Sequence, residues 1–208
     1  MAPAAKLPTP PNIVCRELEP SLWADLEALF GAKGACAGCW CMFWRLEEGE
    51  RFDDVKGAPA KRRFRALVAS GRAHGILAYA GDEPVGWCSF ERRVELPRLD
   101  RAPSLRVVDA ERVWSLPCFF VKSGWRGGGV AQALLAAAER ALRAHGAEIA
   151  EAYPSKLAEG AARAAAAFIY TGVPSMFEKA GFELTEARPK GKQRYRKVLR
   201  KKRKAPLL

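Results

Sequence analysis

The string Lys122-Ser-Gly-Trp-Arg-Gly-Gly-Gly129 follows a nearly continuous apolar run, Val113–Val121, and precedes an amphipathic stretch from Val130 to His145 closed by Gly146. Three successive glycines between a buried strand and a helix have a physical use. Without Cβ atoms the backbone comes very close to a ligand and turns several N–H groups toward one point. The positive end of the following helix adds to this, so the turn suits an anion such as a diphosphate. Two common phosphate loops can be excluded. A Walker loop needs Gly-Lys-Ser/Thr, and here Gly129 is followed by Val130 and Ala131. A dinucleotide fingerprint needs a third small residue where this chain has Gln132.

What remains is Arg126-x-x-Gly129-x-Ala131, five residues past Val121. It resembles the acyl-CoA pyrophosphate motif, Arg/Gln-x-x-Gly-x-Gly/Ala, of the GNAT N-acetyltransferase superfamily. Met176-Phe-Glu-Lys-Ala-Gly-Phe182 is similar to that superfamily's second motif on the CoA side, Leu-Tyr-x-x-x-Gly-Phe. The resemblance implies acetyl-CoA as cosubstrate and an α/β fold with a mixed sheet. It implies that Phe119, Phe120 and Val121 turn backbone groups toward the pantetheine and thioester. Arg126 and the N–H groups of Gly127, Gly128, Gly129, Val130, Ala131 and Gln132 would hold the pyrophosphate. Two parallel strands, Val113–Val121 and Ile149–Tyr153, are expected to splay so that the cofactor arm enters between them.

The implied reaction is direct attack of a neutral amine, on a small molecule or a peptide, at the acetyl thioester. It needs a base for the ammonium proton, backbone donors for the oxyanion near Phe120 and Val121, and a proton for the departing thiolate. In many members a Tyr of the second motif gives that proton. Here the position is Phe177, which has none to give. Tyr170 and Tyr153 carry the hydroxyls expected to substitute. Glu151 is the expected base, two residues before Tyr153 and so on the same strand face, with Glu111 as second choice. The competing reading makes Glu151 a strand-end charge and the tyrosines core residues. It leaves a CoA-binding regulatory or interaction protein as the alternative to an enzyme.

Cys36-Ala-Gly-Cys-Trp-Cys-Met-Phe-Trp-Arg45 is a second chemically loaded string. A closed zinc site wants four ligands, usually as two pairs, and no second pair exists, so no metal is expected. A redox Cys-x-x-Cys opens a helix after a strand, which this context lacks. The string is similar to one in a bacterial branch of the same superfamily, where the loop between the first two helices lines the acceptor pocket. Trp40, Met42, Phe43 and Trp44 would wall that pocket. Plain core packing serves the same residues equally well.

The elements that must position these groups follow from periodicity and punctuation. Strands are expected at 13–18, 76–80, 85–91, 113–121, 149–153, 182–187 and 194–199. Helices are expected from Pro20 to Gly31, from Pro59 to Gly71, over 130–145, over the Ala-rich 157–169 and from Pro174. The 32–58 and 92–112 stretches read as long connections. One acetyltransferase domain over 13–199 results, with a loose leader at 1–12 and a basic tail at 200–208.

Composition narrows the class. The 208 residues carry 35 Lys plus Arg against 23 Asp plus Glu, a formal charge of +12. Eleven basic residues and no acid lie from Arg188 to Leu208, leaving +1 for the first 187 residues. The basicity therefore belongs to one end. That tail reads as a solvated end more than a nucleic-acid element, since only Tyr195 interleaves an aromatic. Nucleic-acid binding through it is not expected, and a nucleic-acid-associated protein using the tail stands as the third alternative. No apolar run of about 18 residues exists to span a membrane. Six dilute cysteines fit reduced thiols in the cytoplasm, in a monomer or homodimer.

Overall fold

The computed structural model describes residues 12–156, 170–188 and 191–199. Most of the leader, the Ala-rich 157–169 segment and the basic tail lie outside the described residues. In chain order the strands are β1 Ile13–Glu17, β2 His74–Ala80, β3 Glu83–Arg92, β4 Val113–Val121, β5 Ile149–Ala152, β6 Ser155–Lys156, β7 Glu183–Glu186, β8 Gly191–Lys192 and β9 Arg194–Val198. The helices are α1 Trp23–Phe30, α2 Phe52–Val55, α3 Ala58–Ala69, α4 Arg98–Arg101, α5 Val130–Ala144 and α6 Pro174–Lys179. The expected 92–112 connection is a chain of short helical turns that includes α4.

Seven strands form one mixed sheet in the order β1-β2-β3-β4-β5-β9-β7, and β6 pairs with β8 apart from it. Every pair in the large sheet is antiparallel except β4 with β5, which α5 joins as a crossover. The expected terminal hairpin is more elaborate than its sequence. β7 and β9 do pair, but Gly191 and Lys192 between them turn aside to pair with β6.

Both sheet faces are covered, and β2 shows how alternation achieves this. Ile76 and Ala78 join the core beneath α5, while Leu77 and Tyr79 join the core beneath α1 and α3. On α5, Val130, Leu134, Ala138 and Leu142 recur every four residues and all are buried.

The start of α5 sits tightly on β3 because Gly86 has no side chain there. A Cβ at Gly86 would stand 2.7 Å from Val130 Cγ1 and 3.0 Å from Leu134 Cδ1. Gly86 pairs with Val121 at the end of β4, so this contact fixes the height of the glycine turn relative to that strand. Gly86→Ala should therefore destabilise the protein by about 1–3 kcal/mol through overpacking, read as a lowered urea midpoint at constant slope.

Candidate active site

β4 and β5 pair only from Val113–Leu116 against Ile149–Ala152. The next residue of β4 is Pro117, which has no N–H for either neighbour. On the other side of β4 the register slips at the same place. Leu116 and Pro117 stand opposite the single residue Phe90 of β3, a bulge. Beyond it β4 runs on beside β3 while β5 ends, and a gap opens.

The carbonyl of Tyr170 enters this gap and accepts the N–H of Phe119. Strand alternation then points the N–H of Val121 into the gap as well, and that of Phe120 toward β3. Of the donors expected near Phe120 and Val121, only that of Val121 faces the cleft. Lys122 confirms the alternation by donating to Val85 of β3.

The cleft has a volume of about 410 Å³. Along one side run Phe119, Phe120 and Val121, then Arg126, Gly127, Gly129, Val130, Ala131 and Gln132. Gly128 does not border it. Gly127 and Gly129 have φ of +81° and +84°, left-handed values that side chains disfavour. The first intrahelical bond of α5 runs from Ala133 to Gly129, no side chain caps the helix, and its first turn holds no acid. The N–H groups of Val130, Ala131 and Gln132 are thus left without helical acceptors. Arg126 anchors its Nε on the Val121 carbonyl at 3.0 Å, bringing its guanidinium charge to the same place. This cradle fits an anionic diphosphate by shape, donors and charge.

At its inner end the cleft meets a smaller pocket of about 210 Å³, and Cys36, Cys39, Cys41, Cys118 and Tyr170 border both. The smaller pocket is completed by Ala37, Phe43, Trp44 and Phe52. Phe43 and Trp44 therefore lie where an acceptor pocket was expected, but Trp40 and Met42 do not. Trp40 packs on Trp23 and Phe30 at 5.9 and 5.4 Å, on the far side of the loop, and Met42 is buried in the same core. The reason is the backbone. Ala35, Ala37, Trp40 and Cys41 all have positive φ, and two consecutive left-handed residues send Trp40 and Cys41 in divergent directions. Arg45 ties the loop to β3 by pairing with the buried Glu91. Burial pushes the Glu91 carboxyl up, but His74 and Arg45 outweigh it and hold it below its ordinary value.

All six cysteines are free thiols. The Cys41 sulfur accepts the S–H of Cys118 and, at 3.1 Å, the indole N–H of Trp87. The Cys118 donor holds Cys41 below the ordinary thiol value against the effect of burial, with Trp87 and Arg45 adding to the lowering. Cys118 is correspondingly raised by its bond to Cys41 and by burial. Burial and the neighbouring Cys41 push Cys39 up to about 12. Among the described residues no three His, Cys, Asp or Glu side chains gather as a metal site would require.

The three expected catalytic residues separate. Tyr170 borders the cleft, and no described side chain bonds its hydroxyl, whose pKa is raised chiefly by burial. Glu151 and Tyr153 do share a strand face, but neither borders the cleft. Ser115 donates to the Tyr153 hydroxyl at 2.7 Å, and Tyr153 donates to Glu151 Oε1 at 2.6 Å. Arg196 donates to Glu151 Oε2 at 2.5 Å and grips Asp109 with its other nitrogens. Arg93 stands 3.6 Å from Glu151, and both side chains are fully buried. Glu151 is thus the centre of an ionic network, because two guanidinium groups under the sheet end need its charge. Glu111 lies at the surface against Arg92. Phe177 is wholly buried between Phe119 and Phe182.

Residues that sequence reasoning missed cluster beside the smaller pocket. Lys192 Nζ lies 4.7 Å from the Tyr170 ring centre and 5.5 Å from that of Trp44, and donates to Thr171 at 3.2 Å. Burial lowers its pKa to about 8. The Arg98 guanidinium lies 4.1 Å over the Phe43 ring. Nothing in the sequence separates Lys192 from the other charges of the basic end, or Arg98 from those of the 92–112 connection. Among the described residues no helix is long and apolar enough to cross a membrane.

Solved structures share this fold across nearly their whole length. An N-acetyltransferase from Staphylococcus aureus Mu50 superposes with a TM-score of 0.53 at 12% identity, covering 91% of this chain and 99% of that one. The PaiA N-acetyltransferase of Thermoplasma acidophilum, in complex with coenzyme A, gives 0.52 at 12% identity over 90% and 99%. YncA of Salmonella typhimurium, with its cofactor acetyl-CoA, gives 0.52 at 13% identity over 92% and 96%. No curated protein matches the sequence. A model of the acetyltransferase (GNAT) family matches residues 40–167, more than half of the chain, over a span that holds the bulged strand and the glycine cradle. The chain belongs to the acetyltransferase (GNAT) family.

Proposed function

We propose that this protein is an acetyl-CoA-dependent N-acetyltransferase working as one domain over 13–199, in the bacterial branch with the Cys-Trp-Cys-Met loop. We place it in the cytoplasm, where its six thiols stay reduced, as a monomer or homodimer. The observation that carries the reading is continuity. The glycine cradle, the open edge of β4 and the aromatic pocket border one connected space. When bound, acetyl-CoA supplies an acetyl thioester that an acceptor amine attacks directly.

The chain's own residues divide the work. Val130, Ala131 and Gln132 N–H groups, with Arg126, hold the diphosphate. The Val121 N–H faces the gap and is the backbone donor for a developing oxyanion. Tyr170, at the joint of cleft and pocket, is the hydroxyl positioned to return a proton to the departing sulfur, in place of the buried Phe177. Glu151 and Tyr153 act as positioning residues, because Tyr153 packs 6.5 Å from Trp44 in the pocket wall. A CoA-binding protein without turnover is the second reading, favoured by Phe177 alone.

Calorimetry should show acetyl-CoA binding at micromolar concentration, and absence of heat would sink both readings. Thiol release across an amine panel then separates enzyme from binder. Tyr170→Phe should lower kcat about a hundredfold with little change in the KM for acetyl-CoA; an unchanged kcat would remove the hydroxyl from proton transfer. Glu151→Gln should cost about 3 kcal/mol of stability, measured by urea unfolding. Its rate per folded molecule should stay within about tenfold of the parent's, and a fall of a hundredfold or more would return Glu151 to the role of base.

A further inference from the structure

Four thiols meet where the cleft opens into the smaller pocket, and the proposed reaction uses none of them. Cys36, Cys39, Cys41 and Cys118 border both spaces, and all are free. Two of them touch across the fold. Cys41, from the loop, accepts the S–H of Cys118, from β4, so the pair is distinct from the Cys36-x-x-Cys39 spacing of the sequence. The Cys41 sulfur also accepts the Trp87 indole N–H at 3.1 Å, and the charge of Arg45 adds to the effect. Together these hold its thiol below the ordinary value although burial opposes them. Its neighbours Cys39, Cys88 and Cys118 are all raised and keep their protons. The thiolate is the form that reacts with peroxides, and a redox-sensing thiolate is accessible and stands beside a resolving thiol. Cys41 and Cys118 are each 8% exposed at the two spaces, whereas Cys88 is wholly buried and borders neither.

We propose that Cys41 and Cys118 form a reversible oxidation site for hydroperoxides, whose disulfide distorts the joint between cleft and pocket and stops acetyl transfer. The second half of this inference rests on the acetyltransferase reading. In the first step the Cys41 thiolate attacks one peroxide oxygen. An S–O bond forms, the O–O bond breaks, and the departing hydroxide takes up the proton that Cys41 released on ionising. In the second step the Cys118 sulfur attacks the sulfenic sulfur of Cys41. The S–O bond breaks, and the hydroxyl leaves as water with the Cys118 proton. The two thiols lose two electrons, and the hydroperoxide (hydrogen peroxide in the simplest case) is reduced to two waters. A disulfide is shorter than a thiol–thiol hydrogen bond, so its formation draws the loop toward β4. Trp40 and Arg45 are anchored on either side, and the shift falls on the segment between them. That segment holds Cys41 of the joint and Phe43 and Trp44 of the pocket wall. In a reducing compartment, thiol exchange returns the pair to its open state.

The test uses the full chain, reduced, desalted and treated with a small molar excess of hydrogen peroxide. Free thiols are then blocked and the tryptic peptides mapped by mass spectrometry. A crosslink should join 34–45, which holds Cys36, Cys39 and Cys41, to 113–122, which holds Cys118, and fragmentation should place it on Cys41. Turnover is read as acetylated amine, so that protein thiols do not interfere. It should fall by about tenfold or more in the crosslinked protein, as displaced reacting groups would cause, and return with dithiothreitol. Cys118→Ser should leave Cys41 as a sulfenic acid captured by dimedone, with no crosslink. A bond through Cys36 or Cys39 instead, oxidation of the parent without a crosslink, or a crosslinked protein at full rate would overturn the inference. A reduced protein that acetylates no amine yet still forms the Cys41–Cys118 bond would overturn the acetyltransferase reading and support the oxidation site.

Discussion

At Pro117 the ladder between β4 and β5 loses a donor, and the bulge opposite Phe90 bends β4 at the same point. In a regular parallel sheet every backbone group along these strands would be paired, leaving no room for a ligand between them. Because the pairing stops after four residues, β4 presents an open edge to a gap that Tyr170 and Val173 close from the other side. The glycine cradle hangs from the end of this same strand, held at its height by the contact of α5 on Gly86. Glycine cradle, open strand edge and smaller pocket are in line because one strand carries or borders all three.

Opening a sheet in its middle exposes its lower half to loss of support, and the ionic network around Glu151 lies just there. Glu151 and Tyr153 flank the last β4–β5 pair, Leu116 with Ala152. Through them Ser115 of β4, Arg196 of β9, Arg93 after β3 and Asp109 before β4 are joined. Buried charges of this kind add little net stability over apolar packing, but each is costly to leave alone. Their effect is to hold five chain segments in one arrangement beneath the gap. The Nε and Nη1 atoms of Arg93 have no hydrogen-bond partner among the described residues, so the arrangement retains some polar cost.

The thiol loop supplies the other wall through an uncommon backbone. Non-glycine residues at positive φ cost energy and persist where surrounding structure determines them. Here the Trp40 ring is locked between Trp23 and Phe30, and Arg45 is locked on Glu91. Between these anchors the chain directs Cys36, Cys39 and Cys41 toward Cys118 and the cleft. The joint between the cleft and the smaller pocket is therefore lined by sulfur and one tyrosine, a polarisable and mostly apolar surface that repels water more than a carboxylate would.

The glycine turn was legible because its pattern is local. Glycines and a helix start in consecutive positions make such a turn, so Arg126 to Gln132 could be read from the sequence. The elements from β2 to α5 were equally readable, since alternation and four-residue spacing directly encode which faces are buried. The smaller pocket was not legible, because its walls come from separate segments: Phe43 and Trp44 from one loop, Phe52 from α2, Cys118 from β4 and Tyr170 before α6. Strand position marked Glu151 as a candidate base, and only tertiary contacts revealed its pairing with Arg93 and Arg196. The sequence by itself determined the family, the glycine turn and the strand that carries it. Tertiary structure alone decided which aromatic side chains line the smaller pocket and which charges gather around Glu151, because loop torsions and long-range packing set those directions and neither leaves a periodic trace in the chain.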